Sequence, residues 1–131
     1  MADSSNRKTI EAQCFILRDE SGKMRGRWSA DFGETSFVLF GADEKERLSL
    51  TVKESESSRW RETFLSKIDF FGSNGKPVMQ LSGFDDSGNL TLCDGEGRGR
   101  LILNMMHFDD QDWPELTLAG VKGWRMKVSF R

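Results

Sequence analysis

FILRDESGKMRGRW, residues 15–28, carries the rhythm on which the chain is built. Phe15 and Leu17 alternate with Ile16 and Arg18, Ser21-Gly22 interrupts, and Gly26 and Trp28 resume the alternation. Period-two alternation marks a strand with one apolar face, and glycine supplies the positive φ that a tight turn requires. This stretch therefore predicts one β-hairpin. The same offsets recur downstream. The pairs Phe15-x-Leu17, Phe37-x-Leu39, Ile68-x-Phe70, Leu90-x-Leu92 and Leu116-x-Leu118 open five copies, starting 22, 31, 22 and 26 residues apart. Seven places after each first apolar residue stand Gly22, Glu44, Gly75, Gly97 and Gly123; eight places after it stand Lys23, Lys45, Lys76, Arg98 and Trp124. An internal repeat of this kind sets the fold before any single residue does.

Parity fixes which residues share a face. A two-residue loop at offsets six and seven pairs Phe15 with Trp28, Phe37 with Leu50, Ile68 with Leu81 and Leu90 with Leu103, so the apolar sets of copies one to four fall together. In copy five the apolar pattern slips by one to Trp124, Met126 and Val128, and an odd loop at Val121-Lys122-Gly123 restores the common face. Glu44 takes a place that glycine holds elsewhere, which predicts a looser second turn. The opposite face carries Ile16, Val38, Phe40, Phe71, Val78 and Ile102 beside several arginines, more apolar than a solvent face needs to be. These six are the candidate interface for another subunit.

The expected fold is all-β: about ten antiparallel strands in five sequential hairpins, closing into a barrel or folding into a two-layer sandwich. Residues 1–12 are expected to form a flexible N-terminal segment and residues 13–131 a single domain. Two connections depart from the repeat. Residues 53–67 are polar and predict a short helix near 57–65. Residues 104–115, NMMHFDDQDWPE, read as a Met-rich, acidic loop.

Composition sets the class. The 131 residues are 37% hydrophobic and 31% charged, with a net charge of −2. These values suit one soluble globular domain, and the abundant Phe and Leu exclude a disordered chain. No apolar run reaches the roughly 18 residues of a membrane-spanning helix. The first residues lack a secretory signal's apolar stretch, and Cys14 and Cys93 form no zinc or redox motif, so a cytoplasmic protein with reduced thiols is expected.

Catalytic chemistry has few candidates. Asp85-Asp86 and Asp109-Asp110 could act as paired carboxylates if the fold joins them, and His107 is the single histidine. Neither run has the spacing of a calcium loop, and no nucleophile signature accompanies His107, so no metal, cofactor or catalytic residue is assigned. Arg59-Trp60-Arg61 and the stripe Arg18, Arg25, Arg27 could clamp a single-stranded nucleic acid. The acidic balance disfavours that partner. Trp28, Trp124 and Met126 would line the interior if the strands closed around a small apolar ligand.

The first copy, FILRDESGKMR, resembles the tandem F-x-L-x-D-x-x-G-K-x-R hairpin repeats of bacterial proteins of uncharacterised role. The resemblance covers most of residues 15–130 in rhythm; only the first copy matches well, and copies two and five depart at the turn. It implies a bacterial, cytoplasmic hairpin-repeat protein and carries no catalytic or binding residues with it. The expected function is a non-catalytic scaffold or protein-interaction module that associates with itself. A small hydrophobic-ligand-binding barrel is the alternative, and an enzyme using the Asp-rich loops is the third reading.

Overall fold

Each alternating stretch carries backbone donors and acceptors that a neighbouring strand can satisfy, and short turns bring the next stretch back beside it. The computed structural model of the chain describes residues 10–31, 33–55, 63–84, 87–108, 111–120 and 122–129. It contains ten strands: β1 (Cys14–Arg18), β2 (Met24–Asp31), β3 (Glu34–Phe40), β4 (Glu46–Ser55), β5 (Thr63–Phe71), β6 (Pro77–Phe84), β7 (Ser87–Cys93), β8 (Gly99–Phe108), β9 (Gln111–Ala119) and β10 (Arg125–Ser129). All lie in one sheet in chain order, each antiparallel to the next. Among the described residues there is no helix.

The sheet is open. β1 and β10 are its edges, and no strand approaches any but its sequence neighbours. A barrel would need the last strand staggered and tilted enough to pair with the first. Here the cross-strand rows run from β1 to β10 and the edges stay apart, so the expected closed barrel is not formed. Two further expectations change. Of the predicted 57–65 helix, residues 57–62 lie outside the described residues, while Thr63–Leu65 are extended and pair with β4. The expected 104–115 loop is instead a hairpin, in which Met105 pairs with Pro114 and His107 with Asp112.

The cross-strand pairs match the parity argument, but the turns reach them differently. In all five hairpins the N–H four places after the first apolar residue bonds the carbonyl at offset eight, as in Asp19 to Lys23 (3.0 Å) and Gly41 to Lys45 (2.8 Å). The N–H at offset seven bonds back to the carbonyl at offset four, as in Gly22 to Asp19 (2.9 Å). The loop is thus three residues long. Positive φ occurs once per turn, at Gly22, Glu44, Gly75, Gly97 and Gly123. A bulge two residues after the turn then returns the parity: the register shifts between Leu17 and Arg18, Leu39 and Phe40, Phe70 and Phe71, and Leu92 and Cys93. Hairpin five has the same loop without the bulge, pairing Met126 with Leu118 and Val128 with Leu116. That missing residue is why its apolar pattern slips by one. The second turn is not looser: Gly41 and Glu44 make the same two bonds as the glycine turns, and Glu44 adopts φ 58° to do so.

One row then crosses all ten strands: Phe15, Trp28, Phe37, Leu50, Ile68, Leu81, Leu90, Leu103, Leu116 and Val128. The adjoining row on the same face runs from Leu17 to Met126 and is apolar throughout, with Gly26 its one residue lacking a side chain. Neither row contains a charge. The opposite face alternates polar and apolar, with the row Ile16, Arg27, Val38, Ser49, Asp69, Gln80 at its centre.

Candidate functional site

The five turns of the repeat stand together at one end of the sheet, since a meander returns every second connection to the same side. An acidic or amide side chain organises four of them. Asp19 accepts bonds at Oδ1 from the Ser21 hydroxyl (2.7 Å) and from the N–H of Ser21 and Lys23, and at Oδ2 from Arg25 Nε (2.8 Å). The Ser21 hydroxyl and, against the opposing effect of burial, the Lys23 N–H and Arg25 hold its pKa at about 2. At Asp94 burial raises the pKa, but the N–H groups of Arg98 and Glu96 and the guanidinium of Arg100 outweigh it and hold the carboxyl far below its ordinary range. Asp43 pairs with Arg47 (2.7 Å), and Asn74 Oδ1 accepts the Lys76 N–H (3.0 Å).

Each turn is also tied to the next. Lys23 Nζ donates to the Ala42 carbonyl (3.3 Å), Lys45 Nζ to Ser73 (3.4 Å), and Arg47 Nη1 to Gly72 (2.7 Å). Asn74 Nδ2 donates to Gly95 (2.7 Å), Lys76 pairs with Glu96, and Arg100 Nη1 donates to Gly120 (2.7 Å). The cations at offsets eight and ten thus lace hairpin to hairpin in one direction. In hairpin five those places hold Trp124 and Met126, and the lacing ends. Trp124 lies back over its own turn instead, its indole against Gly120 where a Cβ would leave no room.

Several side chains on the polar face pair with one another. Asp69 is 7% exposed and meets Gln80 Nε2 (2.7 Å) and Lys67 Nζ (2.9 Å). Ser29 bonds Ser36 (3.2 Å), and Asn89 bonds Asn104. No buried side-chain polar atom among the described residues lacks a partner. These pairs stabilise the sheet, while Arg27 lines a depression of about 530 Å³ on the same face with Ser29, Glu34, Ser36 and Lys53.

The candidate catalytic residues do not assemble among the described residues. Asp85, Asp86, Asp109 and Asp110 lie outside them. His107 is on β8, and its Nδ1 stands 3.0 Å from Asp112 across the hairpin, on an exposed surface. No group of three or more His, Cys, Asp or Glu among the described residues is placed to hold a metal ion. Cys14 on β1 and Cys93 on β7 are free thiols, with burial first and then Asp94 and Asp69 raising the Cys93 pKa. Arg59, Trp60 and Arg61 lie outside the described residues. Arg18 is engaged with the Gly22 carbonyl (2.9 Å) and Arg25 with Asp19.

Trp28, Trp124 and Met126 are not brought together either: Trp28 is on β2, the other two in the β9–β10 hairpin, and the sheet never closes. Of the six candidate interface residues, Val38 is 4% exposed and buried within its own chain. Phe40, Phe71 and Ile102 are half-buried, and Ile16 and Val78 are exposed but have four strands between them. They form no continuous patch.

The surface left without a partner is the other face. Twelve of its side chains, including Phe15, Leu17, Trp28, Leu50, Leu81 and Leu103, are between 37 and 63% exposed. At roughly 200 Å² for a fully exposed large apolar side chain, they leave on the order of 1,000 Å² in contact with water. Two shallow depressions lie on this face, of about 440 Å³ beside Leu90, Leu103 and Leu116 and about 350 Å³ beside Leu50, Val52 and Ile68; Leu81 stands between them. Sequence reasoning identified these residues and their sidedness and took them for a core. The two uncharged rows were the signal; what failed to cover them was not visible in it. No helix among the described residues is long and apolar enough to cross a membrane. No protein-family model matches the chain, and a search of curated proteins finds no match to it.

Proposed function

We propose that the protein is a non-catalytic hairpin-repeat scaffold that associates with itself. One observation carries this reading: two uncharged apolar rows span all ten strands and stay in water. Isolated apolar patches beyond a few hundred Å² mark interaction surfaces, and this one is larger. The laced turns support a rigid platform. A bacterial cytoplasmic setting, with Cys14 and Cys93 reduced, belongs to the same proposal. Light scattering on the full chain tests it. The expected mass exceeds one chain at micromolar concentration. A one-chain mass up to about 100 µM, with the β-sheet circular dichroism intact, overturns it.

A further inference from the structure

We infer that the occupant of the apolar face is the same face of a second copy, the two sheets stacked about a two-fold axis that lies between them parallel to the strands. This rests on the self-association just proposed and names its geometry. Area is the first argument. A stable interface buries about 800 Å² per partner, and the twelve exposed side chains alone supply on the order of 1,000 Å². Volume is the second. The first row is aromatic at one side of the sheet, with Phe15, Trp28 and Phe37 on β1–β3, and aliphatic at the other, with Leu103, Leu116 and Val128 on β8–β10. An axis parallel to the strands lays β1–β3 of one copy over β8–β10 of the other, so large side chains meet smaller ones and the sheet spacing stays even. The same axis keeps each apolar row over its own counterpart. Leu81, near the middle of the sheet, flanks the two depressions into which side chains of the second copy would seat. Two layers packed face to face in this way form a sandwich with a core made by the pair rather than by the chain.

Sedimentation velocity on the full chain and two variants tests the geometry. Leu81→Lys introduces a charge from each copy near the axis and is expected to weaken the dimer at least about 100-fold. Ile16→Lys, on the polar face, is expected to leave it within about twofold. If circular dichroism shows Leu81→Lys unfolded, Leu81→Thr takes its place, with at least about tenfold weakening expected. A dimer that survives both Leu81 substitutions, or is lost in Ile16→Lys, overturns the face-to-face geometry and leaves self-association standing. A wild-type chain that sediments as a monomer overturns both.

Discussion

Glu44→Gly isolates a single backbone term. Glu44 holds φ 58° at the turn position where the other four hairpins place Gly22, Gly75, Gly97 and Gly123 at φ 76–83°. A left-handed conformation costs an L-residue about 1–2 kcal/mol, because Cβ crowds the following carbonyl. Glycine removes that crowding and returns part of the gain through its greater freedom in the unfolded chain, about 0.5–1 kcal/mol. The net expectation is a stabilisation of about 0.5–1 kcal/mol. Urea unfolding followed by far-ultraviolet circular dichroism reads it as a midpoint raised by about 0.3–0.5 M at unchanged slope. Protein concentration must be held fixed, since association shifts apparent stability. Gly75→Ala is the converse: nothing stands within 4 Å of the added Cβ, so the same two backbone terms apply with opposite sign and stability falls by about 0.5–1 kcal/mol, read as a lower midpoint. A midpoint for Glu44→Gly that is unchanged or lower would refute the assignment of strain to this turn.

Acid should weaken the turns in a defined window. Asp19 has an ordinary pKa of 3.8 and a folded-state pKa of about 2, so its stabilisation is complete above pH 3.8 and is lost as pH falls toward 2. Asp19→Asn flattens that part of the urea-midpoint profile, and an unchanged profile between pH 4 and about 2 would count against the role given to this carboxylate. The lacing makes a separate forecast. Arg100→Met removes the bonds to Asp94 and to the Gly120 carbonyl, so amide exchange in β9 and β10 should quicken on the order of tenfold while β3–β6 stay protected. Equal loss of protection in every strand would show that the lacing is not local.

Alternation made the strands and their sidedness legible, because period-two patterning is a property of the strand itself. The turn geometry was less so. Parity reports only the sum of insertions, and a three-residue loop followed by a bulge at Arg25, Arg47, Val78 or Arg100 has the same parity as a two-residue loop with none. Copy five exposed the difference through its slipped Met126 and Val128. The 104–115 stretch misled because Asn104, His107, Asp112 and Pro114 have weak strand propensity, which cross-strand pairing overrides at an edge. The position of the core was not legible at all. Phe15, Leu50 and Leu103 announce a face that must be covered, but what covers it is decided by layering beyond the reach of local pattern. The six candidate interface residues were read from the more polar of the two faces.

The central claim is that one chain contributes one layer and that assembly supplies the second. Small-angle X-ray scattering on the purified full chain tests it most directly, because thickness and mass are measured together. A face-to-face pair is expected to give a two-chain mass and a thickness near 20 Å, from two sheets about 10 Å apart. A one-chain particle, or a two-chain particle of single-layer thickness extended along its edge strands, would contradict it.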